Sequence, residues 1–232
     1  MPYYLPEGVE FFPHPYYSDE EGLLAIGGNL TPETLLMAYQ WGIFPWTSED
    51  QPLLWWSTHP RCVLLPSQIK ISKSMRSIFN SPDWRWTMDT QFPEVIHRCK
   101  EKNRKGQEGT WIFTELEEAF IKLHHRGYAH SVEVWYQDEM VAGLYGLCLG
   151  NIFFGESMFT DISNGSKYGF INLVKWLEKR GCIMIDCQQE TAHLISMGAT
   201  MISAEAFHKS LKKNIFAPTN RGSWTKQASD PN

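Results

Sequence analysis

Residues 151–193 read NIFFGESMFTDISNGSKYGFINLVKWLEKRGCIMIDCQQETAH, and the fold turns on how this stretch is parsed. Phe153 and Phe154 sit in a short apolar run that reaches Gly155-Glu156-Ser157, so a carboxylate stands where a strand runs out. Asn164-Gly165-Ser166 opens the next element. Phe170, Leu173, Val174 and Leu177 then recur at i, i+3, i+4 and i+7, the spacing of one helix face. Gly181 stops the helix. Residues 182–185 are apolar, short and preceded by glycine, which favours a buried strand. Asp186, Cys187 and Gln188 follow at once. Two parallel strands joined by a crossover helix bring their C-terminal ends to one edge of a sheet, where ligands tend to bind. Glu156, Asp186 and Gln188 therefore either share one cleft or are the ordinary polar ends of strands. Period two puts Asp186 and Gln188 on one face and Cys187 on the other. Cys187 reads as a buried filler, because a thiol nucleophile needs a base and none is close in sequence.

A chain of 232 residues with 43% hydrophobic content holds one large domain or two unequal ones. No run of eighteen apolar residues is present, and MPYYLPEGVE has neither the basic region nor the apolar segment of a secretory signal. The five cysteines are scattered and without a C-x-x-C pair, which argues against a disulfide scaffold or a cysteine-rich zinc site and for a reducing compartment. His124 and His125 are adjacent, not at the i, i+4 spacing of a metal pair. A net charge of −5 argues against a protein that coats nucleic acid non-specifically, while leaving room for a local basic patch.

The first sixty residues are read as a small α/β unit, 1–60, packed against a larger one, 61–232. Residues 1–22 read as extended chain and turns. A helix over 33–41 is announced by Thr31 as N-cap and Pro32 at the first helical position, and Gly42 ends it. Leu53-Leu54-Trp55-Trp56 reads as a strand whose two tryptophans face opposite ways. Trp46, Trp55 and Trp56 are either packing or the wall between the two units. From Arg61 onward the pattern gives strands at 61–65 and 84–88 and helices at 72–79, 92–102 and 115–126. Antiparallel strands at 130–136 and 140–149 follow, and then the crossover unit. A tail of short helix, strand and basic amphipathic helix closes the chain. The densest basic cluster is Arg98, Lys100, Lys102, Arg104 and Lys105. It is either a solvated helix end or a contact for phosphates.

This order, an antiparallel meander feeding a parallel crossover, resembles the N-acetyltransferase superfamily. The stretch that would hold the pyrophosphate of acyl-CoA, Asp161 to Lys167, lacks the Q/R-x-x-G-x-G/A pattern.

A more specific resemblance covers nearly the whole chain, from about residue 11 to 215. It is carried by LLAIGGNL at 23–30, GIFPW at 42–46, LWWS at 54–57, GTWI at 109–112, HSVEVW at 130–135, GESMF at 155–159 and IDCQ at 185–188. Together and in this order they resemble leucyl/phenylalanyl-tRNA–protein transferases. The resemblance implies a small N-terminal α/β domain and an acetyltransferase-like, mixed-sheet C-terminal domain. It implies a cytoplasmic, monomeric enzyme that needs no metal or other cofactor and no membrane. Its reaction moves leucine or phenylalanine, and methionine less readily, from aminoacyl-tRNA to the N-terminal amine of proteins beginning with Arg or Lys. The product N-terminus marks the protein for degradation.

By the same resemblance, Asp186 holds the attacking amine, Gln188 belongs to the same hydrogen-bonded arrangement, and Glu156 orients the aminoacyl end or the terminal ribose. Met158, Leu173, Ile185 and Phe120 belong to the apolar side-chain pocket. Trp46 and Trp111 offer flat surfaces for the terminal adenosine, a kind of stacking worth about 1–3 kcal/mol. The basic cluster, with Lys70, Lys73 and Arg76, contacts the tRNA acceptor stem. Phe120 stands where many relatives have tyrosine, Thr160-Asp161 where the usual pair is Ser-Arg, and Ala204 where an arginine is usual. The alternatives are a CoA-dependent N-acetyltransferase and a non-catalytic tRNA-binding module. The first is disfavoured by the missing phosphate loop. The second would not require Glu156, Asp186 and Gln188 together.

Overall fold

The computed structural model describes residues 1–8, 10–48, 51–102 and 112–225. The chain begins with β1 (Tyr3–Leu5), β2 (Leu23–Gly27), α1 (Pro32–Gln40), β3 (Phe44–Pro45) and β4 (Leu54–Trp56). These strands form a four-stranded sheet in the order β1-β2-β4-β3. β1 runs parallel to β2, with Tyr3 opposite Ala25. Period reading treats this segment as irregular, because its flanking prolines hide a three-residue strand. α1 starts as expected: the Thr31 hydroxyl accepts the Thr34 amide at 3.1 Å. Thr34 cannot complete a reciprocal box, and its own hydroxyl instead donates to Asn29 at 2.7 Å. The two adjacent tryptophans of β4 divide as strand geometry requires. Trp55 is fully buried and donates to the Gly27 carbonyl, while the partly exposed Trp56 donates to the Trp46 carbonyl.

The larger sheet contains β5 (Arg61–Leu64), β6 (Trp84–Met88), β7 (Ala129–Tyr136), β8 (Glu139–Leu149), β9 (Ile152–Thr160), β10 (Met184–Gln188) and β11 (Thr200–Ile202). Between them lie α2 (Met75–Phe79), α3 (Phe92–Glu101), α4 (Thr114–His125), α5 (Gly165–Lys179) and α6 (Ala192–Ser196), and α7 (Ala204–Asn214) follows β11. The spatial order is β11-β5-β10-β9-β8-β7-β6. β6 to β9 form an antiparallel meander, and α5 carries the chain from β9 to its parallel neighbour β10. The sequence order of elements thus holds, with helix ends displaced by at most three residues. β10 starts at Met184, two residues later than its apolar run suggests, and it includes Asp186 and Gln188.

The sheet is covered on both faces. One face packs Val95, Ile96, Leu116 and Phe120 of α3 and α4 against Tyr145, Leu147 and Phe154. The same core continues into Leu35, Tyr39 and Trp55, so the N-terminal segment shares a hydrophobic interior with the larger sheet. The other face receives Phe170, Leu173, Val174 and Leu177, the helical stripe legible in sequence, against Leu144, Phe153 and Ile185. Among the described residues no helix is long and apolar enough to cross a membrane.

Candidate active site

β9 and β10 are paired only as far as Phe154 opposite Asp186. Beyond that point each strand carries one extra residue. On β9 the neighbours Tyr145 and Gly146 of β8 pair with Ser157 and Gly155, which leaves Glu156 as the bulged residue. Gly146 is required there, since a Cβ would fall 2.2 Å from the Phe154 carbonyl oxygen. On β10 the residues Val63 and Cys62 of β5 pair with Asp186 and Gln188, which leaves Cys187 extra. Bulges re-aim side chains and end pairing. Here two of them, on adjacent parallel strands, open a cavity of about 490 Å³.

The cavity is lined by Leu144, Phe153, Met158, Phe170 and Ile185, with Phe44 and Trp46 contributed from the N-terminal segment. Its polar residues include Glu156, Gln188, Thr191 and His193. The Gln188 side chain donates from Nε2 to Glu156 Oε1 at 3.0 Å. Plain strand alternation does not put it there: Gln188 has φ +61, in the left-handed region, and its amide donates to Asp186 Oδ1 at 2.9 Å. That hydrogen bond offsets part of a backbone cost on the order of 1 kcal/mol.

Desolvation raises the Glu156 carboxyl from 4.5 to about 8, and the Asp186 charge pushes the same way. The Tyr39 hydroxyl, Gln188 and the Arg61 charge oppose the rise. Tyr39 is fully buried, and burial and then the neighbouring Glu156 charge hold its hydroxyl well above the ordinary tyrosine range. Burial, with Lys167 adding to it, lowers His193.

Asp186 stands behind this group. Its side chain has no exposed surface, and Arg61, equally buried, binds both its oxygens at 2.8 Å through Nε and Nη2. Arg61 Nη2 also donates to the Gly42 carbonyl at 3.0 Å. The guanidinium lies over the rings of Phe44 and Phe207, 4.8 and 4.7 Å from their centroids. Of the three polar residues expected in one cleft, Glu156 and Gln188 face the cavity, and Asp186 reaches it through Gln188.

The remaining expectations separate. Trp46, Met158 and Ile185 line the cavity. Leu173 is fully buried behind it, in the α5 stripe. Phe120 is fully buried on the opposite face, edge-on to Tyr39 and Tyr145 at 6.5 and 5.3 Å. Neither is among the cavity's lining residues. Trp111, Arg104 and Lys105 lie outside the described residues. Lys70, Lys73 and Arg76 are exposed. Among the described residues none of these three is ion-paired. Arg98, Lys100 and Lys102 are differently placed: Arg98 and Lys102 both pair with Asp161, and Lys100 pairs with Glu117 at 3.0 Å. Arg98 also covers the Phe159 ring. α2 and α3 sit on opposite faces of the sheet, so the two basic groups do not form one patch. Asp161 pairs with two of the expected tRNA contacts from within the chain.

Sequence reasoning missed Arg61, Tyr39 and the cavity-lining role of His193. Arg61 carried a usable signal. A lone charged residue opening the apolar run Arg61-Cys62-Val63-Leu64-Leu65 needs a buried counter-charge. Tyr39 carried none, since its place on α1 is that of any core aromatic.

The chain matches two family models. Residues 63–212 match leucyl/phenylalanyl-tRNA protein transferase, and residues 28–59 match the N-terminal domain of the same family. A leucyl/phenylalanyl-tRNA–protein transferase of Syntrophus aciditrophicus is 48% identical over 217 residues, covering 94% of this chain and 91% of that one. One from Anaeromyxobacter dehalogenans is 44% identical over 220 residues, covering 95% and 94%. Among solved structures, an aminoglycoside N-acetyltransferase in complex with CoA is similar at 11% identity and a TM-score of 0.35, over 60% of this chain and 91% of that one.

Proposed function

Because the chain belongs to the leucyl/phenylalanyl-tRNA–protein transferase family, we propose that it transfers leucine or phenylalanine, and methionine less readily, from aminoacyl-tRNA to a protein's N-terminal amine. The acceptors in this reading begin with Arg or Lys, and the added residue marks them for degradation. The enzyme works as a monomer in the cytoplasm, without a cofactor. The observation that carries the reading is the cavity between β9 and β10, where a hydrogen-bonded Glu156–Gln188 pair stands over an apolar lining.

The donor ester is already activated, so the site must orient two substrates and accept one proton. The α-amine attacks the ester carbonyl, a C–N bond forms, and the ester C–O bond breaks. The proton lost from the attacking nitrogen ends on the departing ribose oxygen, and an amine that arrives protonated first gives up one further proton to the site. An α-amino group has a reference pKa of about 8. Glu156, at about 8, is matched to it, so proton transfer between the two is close to thermoneutral. Both oxygens of Asp186 are taken up by Arg61. Glu156 is therefore the carboxylate available to the amine or to a cationic acceptor side chain. Leu144, Phe153, Met158, Phe170 and Ile185 receive the leucyl or phenylalanyl side chain, and Trp46 at the rim stacks on the terminal adenosine. The exposed Lys70, Lys73 and Arg76 contact the acceptor stem, with weak and salt-sensitive binding.

The test is transfer of labelled leucine from purified Leu-tRNA to three peptides, beginning with Arg, with acetylated Arg and with Asp. Label on the first alone supports the reading. Label on none of them, with an active family member as positive control, contradicts it.

A further inference from the structure

We propose that Arg61 is a positioning residue of the transfer site, which clamps Asp186 so that Gln188 is held against Glu156. The proposal rests on the transfer reaction above and assigns a role to a residue outside the cavity lining. Three links in series carry it. The Arg61 fork grips both oxygens of Asp186 at 2.8 Å. Asp186 Oδ1 also accepts the Gln188 amide at 2.9 Å. That bond fixes Gln188 at φ +61, in the bulge where β10 leaves β5. The Gln188 side chain then reaches Glu156 at 3.0 Å.

The other side of Arg61 is tied to distant parts of the chain. Nη2 donates to the Gly42 carbonyl, and the guanidinium lies over the Phe44 and Phe207 rings. Phe44 itself lines the cavity. One side chain thus registers the N-terminal segment, α7 and the end of β10 against each other. Lysine is no substitute, because an ammonium is a point charge and cannot span both carboxylate oxygens in a plane. The arrangement also gives Asp186 an indirect role. A carboxylate with no exposed surface and both oxygens occupied acts on substrate through Gln188.

The test compares wild type with Arg61→Lys, Arg61→Met, Asp186→Asn and the double variant Arg61→Met/Asp186→Asn. Thermal midpoint, Leu-tRNA affinity and single-turnover leucine transfer at saturating substrates are measured on each. Arg61→Met leaves a buried carboxylate unpaired and lowers the midpoint, whereas the double variant removes both charges and recovers it. Transfer is expected to fall at least ~10-fold in Arg61→Lys and further in Arg61→Met, with Leu-tRNA affinity within ~2-fold of wild type. The double variant is expected to transfer no faster than Asp186→Asn, because residues that act as a unit are not additive. Recovered stability with unrecovered rate separates positioning from a purely structural role.

A folded Arg61→Lys enzyme at the wild-type rate would overturn the proposal, and so would a double variant that regains rate together with stability. If Arg61→Met fails to fold, Arg61→Lys and the double variant decide. Wild type without transfer would instead contradict the proposed function.

Discussion

Replacing Glu156 by Gln should stabilise the fold while stopping the chemistry, and the size of the gain should depend on pH. Glu156 titrates at about 8 in the folded chain against 4.5 as its ordinary value. Between those values the unfolded chain has lost the proton and the folded chain still holds it. The folded state therefore binds more protons, and stability falls as pH climbs from 4.5, levelling off above about 8. At roughly 1.4 kcal/mol per pH unit the loss reaches at most about 5 kcal/mol. Glutamine cannot ionise and escapes it. For a chain of this size about 2–4 °C accompanies each kcal/mol, so the variant should melt on the order of 10 °C above wild type at pH 8.5. The two should melt alike near pH 4.5, where both side chains are neutral. The assay is thermal denaturation of both proteins from pH 4.5 to 9, read as the difference between them so that other titrating groups cancel. A difference that stays constant across this range would refute the reasoning.

Other perturbations have equally definite outcomes. Arg76→Glu, on an exposed cation without an ion pair among the described residues, should weaken Leu-tRNA binding and flatten its salt dependence by about one unit of slope for each lost phosphate contact. Arg98→Ala should leave that slope unchanged, because Asp161 already balances Arg98, and filter binding across a salt series checks both. Met158→Ala removes apolar lining and should raise KM for Leu-tRNA and Phe-tRNA ~10-fold or more, with Arg-peptide KM unchanged in steady-state assays. Trp224 lies beyond the matched residues 63–212, yet it is fully buried, stacked on His130 at 3.5 Å and packed on Trp176. Trp224→Ala should cost about 3–5 kcal/mol, visible as a lower denaturant midpoint.

The parts of the fold that could be read from sequence are those set by local pattern. The α5 stripe, the Thr31-Pro32 helix start and the order of meander and crossover all depend on periodicity and capping, which a single chain displays. What escaped depends on strand register. Glu156 and Gln188 meet because one residue is extra on each of two neighbouring strands, and a bulge leaves no compositional mark. The same holds for Asp186, whose position at a strand end was legible but whose enclosure by Arg61 joins residues 125 apart. β1 was hidden because three residues between prolines carry no period. The ion pairs of the basic cluster escaped because charge density is visible in a sequence and its partners, Asp161 and Glu117, are not. The aromatic at 120 was expected in the side-chain pocket by resemblance. It lies on the α4 face instead, beside the Tyr39 that adjoins Glu156.

The central claim is that Glu156, held by Gln188 at the mouth of the split between β9 and β10, is the carboxylate that serves the reaction. Single-turnover transfer of leucine to an Arg-initiated peptide, with Leu-tRNA binding measured on the same preparations, tests it directly. Glu156→Gln is predicted to bind Leu-tRNA within ~2-fold of wild type and to transfer ~100-fold or more slowly, the usual scale of a lost acid–base group. A Glu156→Gln enzyme that transfers at the wild-type rate would contradict the account.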